Sequence, residues 1–484
     1  MKIGTWIKTA IILALSISLI SPLATQAAEK KTIQDESIYD LLVDRYFNAT
    51  IENDFDVDSR EPSAFAGGDL TGISDKLDHI QKLGFTILSL GPIFSTETYD
   101  GKRVLDYSSI ERHFGTSEEL NALLEKTHDS KMKVIVDFPL QQVSADHVWA
   151  VDPAKSAWVI NNEDGTVSWD YTNEEVQKAI QEAVETFVQQ FDVDGIRLTA
   201  IEGIDTKNVN LIIDSIKDIN QDVYVISNEE SNANFDAVLV GEQENVFRNI
   251  FKNLDLDTSR LAELQTEDPA ILRTDSLESR RFTANAADEN MFPPTRWKMV
   301  MATLLSIPGV PIMTYGSEIA VNGEKPPESH PILNFKTDEE LIEFIGDVQY
   351  LRNSSTALRT GKMEMLHNED GFMIYKRWND EESWIVVINN TSSTQSFDLS
   401  KEIIGDNKEL RGLFESDILR QRDDGNYRLV VDREIAEFYT VTEKIGINKS
   451  YLAALALVYV VFMGFIYMVW RKGKQRKLSK VEKK

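Results

Sequence analysis

Apolar and polar positions follow two regular spacings through the first three quarters of the chain. Apolar residues three and four apart predict helices, and short continuous apolar runs predict buried parallel strands. In the segment 174–190, Val176, Ile180 and Val184 share one helical face, and the short apolar run within 192–200 follows directly. Helix, glycine turn and strand in this order indicate a right-handed βαβ unit.

The same alternation recurs and predicts eight strands. They are 38–47, 85–90, 133–137, 192–200, 223–227, 235–239, 280–285 and 308–316. We therefore expect an α/β fold with a (β/α)8 TIM barrel over residues 33–360. In such a barrel the chemistry lies at the C-terminal ends of the strands. Thr199 and Arg197 are then candidate site residues, because they come at the end of strand four.

The spacing changes after residue 360. Short alternating runs such as 372–377 and 384–388 are separated by turns rich in Asn, Asp and Gly. This pattern is typical of antiparallel strands. It predicts a small C-terminal β-sandwich over residues 361–443.

The two termini carry apolar segments of different length. Residues 1–28 combine Lys2 and Lys8 with a short apolar run and a small-residue end, which predicts a secretory signal peptide. Residues 451–470 contain no charge over 20 positions, enough for a transmembrane helix. The basic tail 471–484 follows, and by the positive-inside rule it would be cytoplasmic. We therefore predict a single-pass protein of a bacterial cell membrane with most of the chain extracellular.

Net charge narrows the possible partners. The chain carries −28, although the tail contributes +7 and the signal segment +2, so the exported part is still more acidic. An acidic surface repels phosphate backbones, and a nucleic-acid partner is not expected. Cysteine is absent from the sequence, which excludes disulfides and a thiol nucleophile.

Several ordered motifs resemble the α-amylase family of retaining glycosidases. They are the βα unit 67–94, the Asp-Gly-Ile-Arg run ending at Arg197, and the final strand 308–316, which leads into Tyr315-Gly-Ser-Glu318. The resemblance covers about residues 33–443. It implies the (β/α)8 barrel, a short inserted domain at 138–172 after strand three, and activity on α-linked glucans.

The family's catalytic carboxylates are not found at the matching positions. Retaining hydrolysis takes two carboxyl groups roughly 5 Å apart. The resemblance puts Thr199 at the attacking aspartate and Ala287 at the aspartate that grips the sugar. The general acid matches Asn228 without a gap, or Glu229 if the alignment slides by one. Because strand side chains alternate faces, that shift decides which residue enters the cleft.

Other family positions are also altered. Gln141 replaces the calcium-binding asparagine, and its extra methylene makes a calcium site doubtful; no other cofactor is expected. Lys102 and Arg103 replace a tyrosine and an aspartate that contact sugar. Asp137 is expected to orient Arg197. Trp149 is a candidate for stacking on sugar, although loop tryptophans more often pack a loop onto its domain.

Two functions remain open from the sequence. The first is a catalytically inactive, membrane-anchored homologue that binds an α-glucan, a cell-wall glycan or a membrane protein partner. The second is a cell-surface α-glycosidase with Glu229 as the acid and an unfamiliar nucleophile. The number of carboxylates that face the cleft above Arg197 distinguishes them.

Overall fold

A computed structural model describes residues 31–264, 269–337, 339–444 and 449–481. The predicted signal peptide 1–28 lies outside the described residues. Eight parallel strands close into a barrel, with each strand paired to its sequence neighbours and β8 paired to β1. The barrel strands are β1 Ile38–Asp40, β2 Ile87–Ser89, β3 Lys133–Pro139, β4 Gly195–Thr199, β5 Tyr224–Ser227, β6 Ala237–Leu239, β7 Ala270–Arg273 and β8 Val310–Thr314.

Thirteen helices occur among the described residues. They are α1 Val43–Tyr46, α2 Leu70–Asp75, α3 Leu77–Leu83, α4 Ser117–Asp129, α5 Glu174–Gln190, α6 Thr206–Ile219, α7 Gln243–Phe251, α8 Phe282–Asp288, α9 Pro293–Leu304, α10 Glu340–Ser354, α11 Thr356–Thr360, α12 Lys401–Ile404 and α13 Lys449–Val481. Short 3-10 turns occupy Ile33–Asp35, Ile51–Asn53, Pro153–Trp158, Ser259–Leu264 and Ser317–Ile319.

Two apolar layers hold the barrel together. Branched side chains fill its interior, including Ile38, Ile135, Ile226 and Ile271, all of which are fully buried. The opposite faces of the strands pack against the surrounding helices in a second, larger cluster. Filling of the interior by bulky branched residues is the usual core of this barrel. The (β/α)8 prediction is therefore confirmed.

The seventh strand is not where the sequence pattern put it. The observed β7 is Ala270–Arg273, which pairs with β6 through Val238 and with β8 through Val310. The segment predicted as strand seven, 280–285, instead runs into helix α8. Alanines in that segment favour a helix, whereas Ala270-Ile-Leu is the short apolar run that a buried strand needs.

The segment after β3 forms a small sheet of its own. Its strands are Val143–Ser144, Val159–Asn161 and Thr166–Trp169, with the last in the middle. A further hairpin, Phe94–Thr96 and Val104–Ile110, follows β2.

The C-terminal region is antiparallel, as predicted. A six-stranded sheet and a two-stranded sheet enclose a separate apolar core. The strands are Lys362–Glu369, Phe372–Trp378, Ser383–Asn389, Gln395–Leu399, Lys408–Gly412, Ile418–Arg420, Tyr427–Val431 and Ile435–Glu443.

The middle of the last helix, α13, is exposed and apolar. Its segment Ala454–Lys472 has 19 residues with a mean hydropathy of 1.9, and none of that segment is buried. Length and composition are sufficient to cross a bilayer. The helix itself is confirmed, and the membrane crossing remains a prediction.

Close backbone packing at Gly72 gives a test of the fold. Asp69 begins α2 by accepting a hydrogen bond from the Gly72 N–H, and a Cβ at Gly72 would lie 1.9 Å from the Phe47 carbonyl oxygen. We expect Gly72→Ala to lower the free energy of unfolding by about 2–3 kcal/mol, because neither backbone can retreat. Thermal unfolding measures this. Gly203→Ala is the control, since only its positive φ opposes alanine, and an equal loss in both variants would contradict the packing argument.

Candidate functional site

A buried ion-pair network lies where β1, β3 and β4 end. Arg197 on β4 is 1% exposed, and its Nε and Nη2 donate to the two carboxylate oxygens of Asp137 at 2.6 and 2.7 Å. Nη2 also donates to Oδ1 of Asp40 at 2.8 Å. Charge-assisted forked contacts of this kind fix direction as well as distance. The expected pairing of Asp137 with Arg197 is present, and Asp40 is an additional partner.

The charges of this network are set by burial and by each other. Burial would lower the pKa of Arg197, but Asp137 and Asp40 raise that pKa well above its ordinary value. Burial raises the pKa of Asp137 to about 6 although Arg197 opposes the shift. The guanidinium therefore stays charged. Its buried Nη1 has no hydrogen-bond partner in the described structure, and Arg197 is among the residues that line the space above.

A cleft of about 420 Å³ opens above this network. Side chains from the ends of several barrel strands line it. Those with polar groups are Asp40, Asp100, Lys102, Asp137, Gln141, Gln142, Arg197, Thr199, Glu202, Asn228, Glu229, Arg273, Ser276 and Glu278. The location, at the C-terminal face of the barrel, is where active sites of this fold lie.

Thr199 lies two residues after Arg197 on β4, and both side chains line the cleft. Its hydroxyl replaces the carboxylate that the resemblance requires at this point. A threonine hydroxyl becomes a nucleophile only with an adjacent base. Among the described residues that line the cleft, none is a histidine. The strand therefore brings an uncharged alcohol to the position that the resemblance assigns to the attacking aspartate.

Asn228 and Glu229 both line the cleft. Strand β5 ends at Ser227, so the two residues lie in the turn beyond it and the alternation of a strand does not choose between them. The buried Oδ1 of Asn228 has no hydrogen-bond partner in the part of the chain that the structure describes.

Glu229 is fixed by the backbone of the loop after β4. Its Oε2 accepts from the N–H groups of Ile201 at 3.0 Å and Glu202 at 3.2 Å. Burial raises the pKa of Glu229, while these backbone donors act to lower it. A carboxyl with a raised pKa is suited to donate a proton. Glu229 thus has a raised pKa, as Asp137 has at the base of the cleft.

The side chains of Lys102 and Arg103 extend to different places. Lys102 reaches the cleft and forms an ion pair with Glu278, and its Nζ lies 3.9 Å from Asp100. These partners come from the hairpin after β2 and from the loop after β7. Arg103 is not among the lining residues, and its charge acts on Asp164 of the inserted sheet instead.

The position of the family's calcium ligand is occupied by a hydrogen-bond donor. Nε2 of Gln141 donates to the carbonyl oxygens of Glu202 at 2.8 Å and Ala200 at 3.4 Å. A calcium ion needs such oxygens as its own ligands. Within the described ranges no group of three or more acidic or histidine side chains is arranged to hold a metal. The residues present therefore do not fit the calcium site that the resemblance implies.

Ala287 does not lie at the end of β7, where the family has the aspartate that grips the sugar. It lies exposed on helix α8, and the exit of β7 is Thr274-Asp275-Ser276. Asp275 is therefore a carboxylate at the end of β7 that the sequence analysis did not identify. The short apolar run before the Thr274-Asp275 pair was the pattern that could have indicated it. Asp275 is 2% exposed, and its Oδ1 accepts from the Phe282 N–H at 2.8 Å and from Arg248 at 3.2 Å. It faces these groups and is not among the residues that line the cleft.

Trp149 lies outside the cleft. It packs against Trp158 and Trp169, with ring centroids 5.8 and 5.4 Å apart, and lines a different cavity. Arg273 and Glu278 are cleft residues that the sequence did not indicate, because the misplaced strand put them before the barrel end.

Comparisons with known proteins agree with this architecture. Residues 40–164 match the model of the alpha amylase catalytic domain, and residues 361–439 match that of the alpha-amylase C-terminal domain. The crystal structure of an Anoxybacillus alpha-amylase is 32% identical, with a TM-score of 0.83, and covers 86% of this chain and 100% of its own. The alpha-amylase of Geobacillus thermoleovorans, complexed with acarbose, is 30% identical with a TM-score of 0.81 and the same coverage.

Curated relatives are more distant. A cyclomaltodextrinase of Thermoanaerobacter pseudethanolicus is 25% identical over 78% of this chain and 74% of its own length. A beta/alpha-amylase of Paenibacillus polymyxa is 23% identical over 75% of this chain, which spans only 34% of that relative.

The ion-pair network makes a prediction for Arg197→Met. Two carboxylates would remain buried without their cation, and we expect a loss of about 3–5 kcal/mol in the free energy of unfolding. Without Arg197 the pKa of Asp137 rises further above about 6. As the pH falls through that range, Asp137 takes up a proton and the loss should shrink.

Thermal unfolding of both proteins between roughly pH 5 and pH 8 measures this effect. Arg60→Met is the matched control, because Arg60 makes a similar forked contact with Asp58 while its side chain is 89% exposed. The loss of unfolding free energy in Arg197→Met could instead stay constant with pH, or equal the loss in Arg60→Met. Either result would show that the unpaired buried carboxylates do not cause the destabilisation.

Proposed function

This chain belongs to the α-amylase family, and from that premise we propose that its barrel cleft binds an α-linked glucan without hydrolysing it by the retaining mechanism. We further propose that helix α13 anchors the protein in a cell membrane, with the barrel outside.

The observation that carries the first proposal is Thr199 at the end of β4. Retaining hydrolysis needs a carboxylate beneath the anomeric carbon and a carboxylic acid beside the leaving oxygen. Asp40 and Asp137, the two carboxylates at the base of the cleft, are held by Arg197. Asp137 is held by a forked ion pair and Asp40 by a single hydrogen bond, so both are oriented toward the guanidinium. The other carboxyl groups that line the cleft are Asp100 and Glu278, which lie beside Lys102, and Glu202 and Glu229, which belong to the loops after β4 and β5. We propose that no pair among these groups has the separation that the retaining mechanism requires.

The same cleft retains groups that recognise hydroxyls. Among the described residues, Nη1 of Arg197 is a buried donor without a partner, and Oδ1 of Asn228 is a buried acceptor without one. Leaving such groups unpaired costs about 1–3 kcal/mol each, and a ligand hydroxyl that satisfies them recovers this. Lining of this kind in a concave site favours an oriented polar ligand. Binding of acarbose by the Geobacillus thermoleovorans enzyme supports a glucan-like ligand for this cleft.

A second candidate is a cell-surface α-glycosidase. Glu229 favours it, because this carboxyl lines the cleft and burial raises its pKa. The names of the curated relatives also favour it, since they are amylases and cyclomaltodextrinases. The candidate requires a nucleophile or an activated water that none of the contacts above supplies.

A turnover assay separates the two candidates. We expect the purified full-length protein to release no reducing ends from maltoheptaose above the buffer rate, while the sugar still binds. The paired variants are Glu229→Gln and Glu230→Gln, since Glu230 is the exposed neighbour in the same turn. Turnover that Glu229→Gln abolishes and Glu230→Gln preserves would overturn the binding proposal and establish the glycosidase.

The membrane proposal rests on α13 and the basic residues that follow Trp470. Uncharged residues over the length of a bilayer favour insertion, and a basic flank favours the cytoplasmic side.

Cell fractionation tests the anchor. We expect the full-length chain to stay with membranes after washing at high salt, because insertion of an apolar helix is insensitive to ionic strength. A chain ending at Lys444 should be soluble. Protease added outside intact cells should digest the barrel and spare a tag placed after Lys484. A full-length chain that salt releases, or a truncated chain that stays membrane-bound, would contradict the anchor.

A further inference from the structure

A second cavity, separate from the cleft, lies on the flank of the barrel. It is bounded by the hairpin strand Val104–Ile110, the inserted segment around Trp149 and helix α5. Its volume is about 600 Å³, and it shares no lining residue with the cleft above Arg197. Ligand pockets commonly span roughly 300–1,000 Å³. The cavity is therefore large enough for a ligand of several rings.

Aromatic rings form the inner wall of this cavity. Trp149 is half-buried, and its ring centroid lies 5.5 Å from that of Tyr107 and 5.8 Å from that of Trp158. All three residues line the cavity. The Tyr107 hydroxyl donates to the Pro139 carbonyl oxygen at 2.8 Å and the Trp158 indole N–H donates to Glu175 at 3.2 Å, so these rings offer apolar surface rather than polar tips. The wall is thus suited to a ligand with flat, weakly polar faces.

The rim is polar. Glu182, Thr186 and Gln190 lie four residues apart on α5 and so share the face that turns to the cavity. Ser108 stands opposite on the hairpin, and its hydroxyl donates to Asp106 at 2.8 Å. Hydroxyl, amide and carboxylate groups together provide both donors and acceptors at the edge of the aromatic wall.

The charge of the lining favours a neutral ligand. Its ionisable side chains are the acids Asp106 and Glu182 and the base Lys155, so it carries a small negative charge. The Lys155 ammonium stands 4.9 Å from the Trp158 ring centroid and 5.5 Å from that of Trp149. An anionic ligand such as a phosphate would meet net repulsion. A neutral polyhydroxylated chain would not, and Lys155 is placed to donate to its hydroxyls.

We propose that this cavity is a second glucan-binding site, which holds a linear segment of a neutral α-glucan against Trp149. The choice of glucan rests on the function proposed above for the cleft, while the existence of the site rests on the flank cavity alone. Two sites on one chain would hold a long glucan at two points. The effective concentration at the second site would then exceed the bulk concentration, which strengthens overall binding without a new contact.

Calorimetric titration of the full-length protein with maltoheptaose tests this proposal. The detergent must not carry a maltoside headgroup, since that sugar would compete. We expect two binding sites per chain. Ala183→Phe should leave one, because Ala183 lines the cavity from α5 and a larger side chain fills it without removing an existing contact. Ala122→Phe is the control, since Ala122 is an exposed alanine on α4 and should leave both sites.

Further variants distinguish this site from the cleft. Trp149→Ala should weaken the flank site roughly 10-fold through loss of the ring contact. Thr199→Phe should remove the cleft site alone, and the double variant Thr199→Phe/Ala183→Phe should bind no maltoheptaose. Trp149 also packs the inserted segment, so Trp149→Ala could fail to fold. In that case the test rests on Ala183→Phe, which removes no packing contact.

The outcomes separate the two proposals. Unchanged stoichiometry in Ala183→Phe would overturn the flank site and leave the cleft proposal standing. The wild-type protein could instead show a single site that Ala183→Phe removes and Thr199→Phe preserves. This result would support the flank site and overturn glucan binding by the cleft. Absence of binding in the wild-type protein would overturn both.

Discussion

The buried contact of Arg197 with Asp40 and Asp137 is the interaction on which the site depends. It joins the C-terminal ends of β1, β3 and β4 and forms the base of the cleft. Removing three charged groups from water is costly, and only close, directional contacts offset that cost. Loss of Arg197 would leave both carboxylates unpaired in the interior. The arginine keeps two carboxylate partners although Thr199, two residues further along β4, carries no charge.

The same contact limits the chemistry of the cleft. Asp40 and Asp137 are oriented toward Arg197, and Asp275, the first carboxylate after β7, is engaged by Arg248 and a backbone N–H. Asp100 and Glu278 line the cleft beside Lys102, and Glu202 and Glu229 line it from the loops after β4 and β5. Thr199 stands at the position that the resemblance assigns to the nucleophile. A proton donor without a nucleophile does not complete a double displacement. A cleft with unpaired donors and acceptors can still recognise hydroxyls, and binding is therefore the function that we propose for it.

The sequence predicted those features that depend on local pattern. Seven barrel strands, the C-terminal antiparallel region and the apolar last helix follow from apolar spacing, which local sequence specifies directly. Strand seven was wrong because its apolar run is only three residues long, while the alanines near Ala287 were mistaken for a strand end. That error placed the alanine at the gripping position and concealed two carboxylates after β7, the buried Asp275 and the cleft residue Glu278.

Features that depend on tertiary contact could not be predicted in the same way. Asp40 and Arg197 are 157 residues apart, and no local pattern links them. The turn after β5 turns both Asn228 and Glu229 toward the cleft, which strand alternation cannot anticipate. Trp149 was a reasonable candidate for sugar contact, but periodicity does not say which cavity a loop residue lines.

The most direct test is intact-mass spectrometry after incubation with an activated fluoroglucosyl donor that traps the glycosyl intermediate of retaining enzymes. The account predicts an unchanged protein mass under conditions where maltoheptaose binding is saturable. A mass increase of one glycosyl unit, mapped to Thr199 or to a carboxylate of the cleft, would contradict it.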